Sequence, residues 1–429
     1  MFRAKRPKRG KAERSGEVEP TKLTKTSKPV AVSRFFSLVL LVGLFIAHLF
    51  PAQAQSYPQI SLLTFGPGEE LYASFGHTAI RVYDPVRGQD MTYGWGGFRF
   101  SENNFYVKFL RGTLPYYIDA YEMNLMVYAY QTENRTIREQ ILNLSPTQTQ
   151  QLLQVLETNM RPENRTYQYK FFYDNCATRP RDVISQACGD SLTIPSRSVS
   201  TGKSYRDWMN DYLGEQPWAQ LGMNLAIGRP ADVITTGWQA MYLPTNVHDQ
   251  FAHATIRQAD GRVAPAVAQD RMVFQAARTF RKEVPFIFDP NVVFALLTIA
   301  VSVFSIRRYR DGKLDRWLDR LLFGVSGFLG WFLFLLWVGT DHGVTAWNPT
   351  LLWLMPLHLP LIYWATGPTS TTARRRTYFL VTAGLIVTGL IVSNVPGGAD
   401  TLFGLMLLIR CLLNAQMAGR PERAVARVA

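Results

Sequence analysis

Apolar positions along the chain fall into three regimes. Between Ile60 and Leu156 they come in short runs broken by turn residues, and from Phe286 to Leu413 in long, nearly unbroken stretches. Ahead of both lies one isolated run, FFSLVLLVGLFIAHLF, Phe35 to Phe50. ISLLTF (Ile60 to Phe65) ends at the turn signal GPGEE. HTAIRVYD (His77 to Asp84) and DMTYGWGGFRF (Asp90 to Phe100) are rich in β-branched and aromatic residues, and Pro85 and Gly88 between them suit a hairpin turn. The pair reads as two strands, the first alternating only imperfectly. NNFYVKFLRG then sets Phe105, Phe109 and Leu110 at helical spacing before the breakers Gly112 and Pro115. Ser145 to Met160 is the clearest helix, with Ser145 as N-cap, Pro146 at the first helical position, and Leu152, Leu153 and Leu156 on one face. TYQYKFFYD (Thr166 to Asp174) alternates aromatic and polar residues as a strand. ATRPRDVISQAC continues as a helix that tolerates Pro180 only in its first turn, which puts Cys176 at or near its N-terminus. Residues 55–283 therefore read as one α+β domain, β-rich first and more helical later.

The long stretches predict about five membrane helices within 284–415: Phe286 to Ile306, Leu318 to Val338, Asn348 to Trp364, Tyr378 to Asn394 and Thr401 to Leu413, the last two short. Charges between them sort by side. RRYRDGKLDRWLDR, ARRRT and the tail at 416–429 are basic, whereas GTDHGVTAWNPT and NVPGGAD carry no Lys or Arg, so the first group belongs in the cytosol and the second outside. Residues 1–34 form a basic cytosolic arm too poor in apolar residues to fold. The apolar run at 35–54, with PAQAQS and its small residues Ala52 and Ala54 at the end, fits a signal peptide cleaved after Ala54 or an uncleaved signal anchor; either one exports the α+β domain. The net charge of +14 resides largely in the arm and the cytosolic loops. It speaks for membrane orientation and anionic headgroups, and no nucleic-acid partner is expected.

The chain has three cysteines, and FFYDNCATRPRD (Phe171 to Asp182) holds the one with chemical promise. A thiol at a helix N-terminus faces unpaired N–H groups and the positive end of the helix dipole, which favour the thiolate and can hold an oxyanion. Asp174 or Asn175 fits as the cap, while Arg179 and Arg181 either strengthen that field or pair with Asp174 and Asp182. A nucleophile needs a proton acceptor. Of the exported histidines, His248 and His253 read as solvated helix residues, leaving His77 at a Gly-to-strand transition. A lone strand histidine is more often structural; the company of Cys176 singles this one out. A disulfide to Cys188 is the bland alternative, but on a continuous helix the two lie about 18 Å apart. Cys188 itself reads as packing, and Cys411 lies in a span. No metal-ligand spacing, GxSxG elbow, phosphate loop or dinucleotide fingerprint is present, so neither metal nor other cofactor is expected. In the outer loop TDHGVTAWNPT, the group Asp341, His342, Thr345 and Asn348 suits headgroup or substrate binding, with helix capping an equal alternative.

The order of SFGHTAIRVYD and then, roughly 100 residues on, YKFFYDNCATRPRD resembles permuted papain-like (NlpC-type) thiol enzymes. More closely, these segments together with TYGWGGFRF, NNFYVKFLRGTLPYY, IGRPADVITTGWQAMYLP and TDHGVTAWNPTLLWLMPL resemble the Lnb-type family of bacterial membrane proteins, from about Ser61 to Pro356. That resemblance implies a permuted papain-like α+β periplasmic domain followed by an all-α transmembrane domain, multi-pass in the bacterial inner membrane. It implies N-acylation of lipoproteins: an acyl chain passes from a phospholipid donor to Cys176 as a thioester, then to the α-amine of a diacylated lipoprotein, with His77 as general base. Tyr93 or Asp84 is the guess for a ring-orienting third residue. A thiol hydrolase of peptidoglycan peptides or lipids, and a non-catalytic membrane scaffold, are the competing readings.

Overall fold

The computed structural model describes residues 57–277, 284–313, 315–393 and 398–418. The basic arm, the apolar run at 35–54 and nearly all of the tail lie outside the described residues.

In chain order the first part runs β1 (Gln59–Phe65), β2 (His77–Asp84), β3 (Gln89–Gly97), α1 (Phe105–Arg111), β4 (Pro115–Glu122), α2 (Met123–Thr132), β5 (Ile137–Leu142), α3 (Pro146–Met160), β6 (Thr166–Gln168) and α4 (Thr178–Cys188). Then come β7 (Leu192–Thr193), β8 (Ser200–Ser204), α5 (Tyr205–Leu213), α6 (Pro217–Ala226), β9 (Ile234–Thr236), α7 (Gly237–Ala240), α8 (Pro244–Ala252), β10 (Thr255–Arg257), β11 (Val263–Pro265) and β12 (Val267–Phe274). Seven strands make one antiparallel sheet in the order β12-β5-β1-β2-β3-β4-β6. Both faces of its centre are covered. Ile60, Leu62, Ile80, Val82 and Trp95 pack with Leu152 and Leu156 of α3, Val183 and Ile184 of α4, and Val247 and Phe251 of α8. On the other face Leu63, Phe65, Ala79 and Ile137 meet Met123, Met126 and Tyr130 of α2. That is why β1 and β2 alternate poorly: a strand buried on both faces has no polar side to show. The expected strand from Thr166 is only three residues long, and the chain turns through a single bridge between Lys170 and Asp174 before Cys176.

Helix α3 starts as the sequence predicts. Ser145 Oγ accepts from the Gln148 N–H at 3.3 Å, and Gln148 Oε1 accepts from the Ser145 N–H at 2.8 Å. Ser145→Ala removes half of this capping box and is expected to cost about 1 kcal/mol, read as a lower urea midpoint for the full chain; an unchanged midpoint would count against the cap's importance.

Among the described residues, four helices are long and apolar enough to cross a membrane: α9 (Pro290–Arg310), α10 (Arg316–Val338), α12 (Thr372–Val392) and α13 (Ala399–Ala418). The expected span from Asn348 to Trp364 is not one helix but a 3-10 turn, Pro349–Leu352, and then α11, His358–Thr366. Pro356 lies in the break between them, while Pro349 and Pro360 sit in first turns, where proline is tolerated. Its irregular backbone is buried in protein: a Cβ on Gly330 of α10 would stand 1.9 Å from the Leu354 carbonyl oxygen, and one on Gly389 of α12 would stand 2.8 Å from the Trp353 ring. Non-helical backbone at membrane depth is tolerated under such cover. The last two spans, expected to be short, run 21 and 20 residues. Arg410, a charge inside the last run, is fully buried, its Nε 2.8 Å from Asp319 Oδ1 on α10.

Candidate functional site

Cys176 lies two residues before α4, as its sequence context predicts. Asn175 fixes it there. Its Oδ1 accepts from the Ala177 and Thr178 N–H groups at 2.8 and 2.9 Å, capping the helix, while its Nδ2 donates to the carbonyls of Phe171 (2.7 Å) and Tyr242 (2.8 Å). Asn175 is 2 % exposed, so all of these bonds are shielded from water. Asp174 does not cap; it takes the Arg179 guanidinium through both oxygens, and that guanidinium stacks 4.2 Å over the Tyr167 ring. Arg181 donates to Asp182 and to the Trp238 carbonyl. Neither arginine is left for the thiol.

His77 opens β2, immediately after Gly76, whose φ of 78° and 2.6 Å approach to the Phe65 carbonyl oxygen exclude a side chain. Two glycines of β3 make the room that the site needs. A Cβ on Gly94 would stand 3.0 Å from His77 Nε2, and one on Gly96 would stand 3.4 Å from Cys176 Cβ. Gly96, at φ 101°, sits in an irregularity of the β3–β4 ladder. The structure thus sets His77 and Cys176 against one glycine-cleared stretch of β3.

Burial governs their protonation. The Cys176 thiol is pushed up to about 11, with the Tyr169 hydroxyl, the N–H groups of Thr78 and Cys176, and Arg135 offsetting only part of the desolvation. Burial, seconded by the Arg135 charge, lowers His77 to about 4. Both residues keep some exposed surface, yet protein crowds the sulfur and the ring. The helix N-terminus therefore does not yield a resting thiolate as the sequence suggests: at neutral pH the pair is a thiol and a neutral imidazole. Alkylation of Cys176 by iodoacetamide should climb steadily from pH 7 past pH 9, because reactive thiolate accumulates only towards pH 11. A plateau near pH 7 would contradict this protonation state.

The other sequence candidates separate. Asp84 lies at the far end of β2, about 23 Å along the strand from His77, where its Oδ1 accepts from the Val86 and Arg87 N–H groups of the hairpin. Tyr93 pairs with Ile80 and packs in the Trp95 cluster on the opposite face of β3 from Gly94. Neither orients the imidazole. His342 Nε2 lies 2.9 Å from the Leu110 carbonyl, and Asn348 Nδ2 donates to the Leu225 carbonyl at 2.7 Å while its Oδ1 accepts from the Thr350 N–H. These two clasp α1 and α6 to the outer loop of the helical domain. Gly228 N–H to the Val344 carbonyl (2.8 Å), Asp341 N–H to the Arg111 carbonyl (2.8 Å), and Gln168 and Lys170 to Asp341 complete the clasp. His248 is not solvated but buried, its Nε2 2.9 Å from Asp270. All three cysteines are free, and α4 runs unbroken to a buried Cys188.

Sequence reasoning missed Arg135 and the tyrosines. Arg135 is buried, donating to the Gly66 carbonyl and to Glu133 and lying 4.5 Å over the Tyr130 ring. Tyr169 packs at a tilt against Tyr116 with its hydroxyl 4.0 Å from the Cys176 sulfur, and the buried Tyr167 hydroxyl has no hydrogen-bond partner. Glycines inside the strand pattern GWGG were the available signal, since glycine in a strand marks close approach of other atoms.

A mixed sheet-and-helix domain docked on a bundle of membrane-length helices, with a cysteine and a histidine set against the interior strand β3, defines a membrane-anchored protein. Residues 53–206 match the Lnb N-terminal periplasmic domain and residues 281–420 the Lnb transmembrane domain. The chain belongs to the Lnb family, and is a membrane protein with a periplasmic domain; the membership points to an enzyme. No individual curated protein and no solved structure aligns significantly with it.

Proposed function

We propose that the protein is a lipoprotein N-acyltransferase of the bacterial inner membrane, with Cys176 as nucleophile and His77 as general base in a permuted papain-like arrangement. The observation that carries the reading is that Cys176, just ahead of a helix N-terminus, and His77 both lie against the same short stretch of β3, at Gly96 and Gly94. Neutral His77 takes the thiol proton as sulfur attacks the carbonyl carbon of a phospholipid ester. The C–S bond forms, and the Cys176 N–H beside the sulfur, which the Asn175 cap does not use, holds the oxyanion. The tetrahedral species then breaks its C–O bond, and the imidazolium returns the proton to the departing lysophospholipid oxygen. The α-amine of a diacylated lipoprotein attacks the thioester, forms the amide and releases the sulfur; the amine's proton returns through His77. Asn175 positions the nucleophile without touching substrate.

The clasp to the helical domain supports a lipid substrate over a peptidoglycan peptide, because Asp341 holds Gln168 and Lys170, a few residues before Cys176. The test is complementation of a strain lacking lipoprotein N-acylation, with lipopeptide mass as the readout. Triacylated lipopeptides are expected; diacyl forms alone, under good expression, would sink the proposal.

Because His77 is held neutral down to about pH 4, the base form persists well below the usual histidine range. The acid limb of kcat/KM should therefore fall between pH 5 and 4, and a limb centred at about 6.5 would show a different base at work.

A further inference from the structure

At the end of the helical domain remote from the periplasmic domain, five helix ends and a turn line a half-open cavity of about 380 Å³. Arg308 comes from the last turn of α9, Lys313 from the following turn, Arg316 from the start of α10, Arg375 from the first turn of α12, and Asn414 from the last turns of α13, with Thr366 closing α11. The basic loops place this end in the cytosol, at headgroup depth.

The local carboxylates are already used. Arg308 is bound by Asp315 through two hydrogen bonds of 2.8 and 2.9 Å. Asp319, in the cavity wall, is taken by Arg410 and by Asn414 Nδ2 at 3.0 Å, and Ser305 Oγ accepts from Arg410 at 2.9 Å. Arg316, Arg375 and Lys313 are left with no ion-pair partner among the described residues. Two further observations point to an anionic ligand: Arg375 Nε is buried with no hydrogen-bond partner, and Arg316 stands close enough to Arg375 to repel it, opposed by the attraction of Asp319, whose carboxylate Arg410 already binds. Like charges gathered around a walled cavity are stable when an anion sits between them, and planar guanidinium donors match phosphate oxygens.

We propose that this cavity binds a phosphate group, as the headgroup of an anionic inner-leaflet lipid or as free phosphate. The site is separate from Cys176, on the other side of the membrane. Occupancy neutralises Arg316 and Arg375 and ties α10, α12 and α13 together at their cytosolic ends.

The test uses the full chain, purified in neutral detergent, and native mass spectrometry with added phosphatidylglycerol or phosphatidylcholine. The wild type should retain phosphatidylglycerol preferentially, and the Arg316→Gln, Arg375→Gln double variant should lose that retention by about tenfold or more. Arg375→Lys, which keeps the charge, should retain more than Arg375→Gln, and Arg376→Gln, which lies outside the cavity, should match wild type. In a second arm without anionic lipid, inorganic phosphate is titrated and thermal stability read. Stabilisation by phosphate that the double variant lacks, with no phosphatidylglycerol preference, assigns the site to free phosphate; lipid retention without that stabilisation assigns it to the headgroup. Binding of neither ligand that depends on Arg316 and Arg375 overturns the proposal.

Discussion

Cys176→Ala is expected to abolish acyl transfer by the full chain, by at least about a thousandfold, together with the covalent acyl adduct seen by mass spectrometry of the wild-type protein. The size of the effect comes from the surroundings. Residues around the sulfur position and cover it but offer no second nucleophile: the Tyr169 hydroxyl is buried and held far above its ordinary ionisation range, and Arg179 is occupied by Asp174. His77→Ala should behave differently. It removes the proton acceptor, slowing acylation by about a hundredfold to ten-thousandfold, but leaves the thiol in place for iodoacetamide. A scaffold would support growth unchanged with either substitution, and that result would remove the chemistry from the proposal. A hydrolase would show the adduct but pass the acyl group to water, leaving lipopeptides diacylated.

Gly228→Val should uncouple the site from lipid. A Cβ there would stand 1.8 Å from the Ala346 carbonyl oxygen, inside the atoms of the outer loop, so the loop or the segment after α6 must move. The Gly228 N–H bond to the Val344 carbonyl and the Asn348 bonds to the end of α6 sit in the same contact. The expected result is a protein that still inserts and whose Cys176 still alkylates, but whose acylation by phospholipid falls by about tenfold to a hundredfold. The alkylation arm matters, since loss of both activities would mean that the periplasmic domain had unfolded. Full lipid activity in this variant would show that the clasp does not present the site to the membrane.

Much of this architecture was legible in the chain and some was not, for identifiable reasons. Ser145, Pro146 and the leucines of α3 announced a helix because capping and periodicity are local. Cys176 could be placed at a helix start because Pro180 fixes where that helix begins. The protonation of the site was not legible: the helix dipole can be read from order along the chain, but desolvation depends on which elements close over the sulfur. Asp84 and Tyr93 failed as partners for His77 through strand geometry, one by distance along β2 and the other by facing the wrong side of β3. Arg135 is invisible from sequence because it reaches the site from a loop before β5, across the sheet. In the membrane half, the polar residues Asp400, Asn414 and Gln416 hid the ends of α13, and apolar length outweighed the break that the prolines of the third stretch signalled.

A cysteine whose ionisation is pushed up to about 11 carries, at pH 7, only about one thiolate in ten thousand molecules. The periplasm is an oxidising compartment, and oxidants and thiol–disulfide exchange act on the thiolate. The same cover that makes Cys176 dependent on His77 therefore shields it from sulfenylation and from mixed disulfides while it waits for substrate. With Cys188 sealed in the core at the far end of α4, no resolving thiol lies within reach either. Under the proposed mechanism, the protein that buries the sulfur preserves the nucleophile by keeping it protonated, and its reactivity is left to one imidazole.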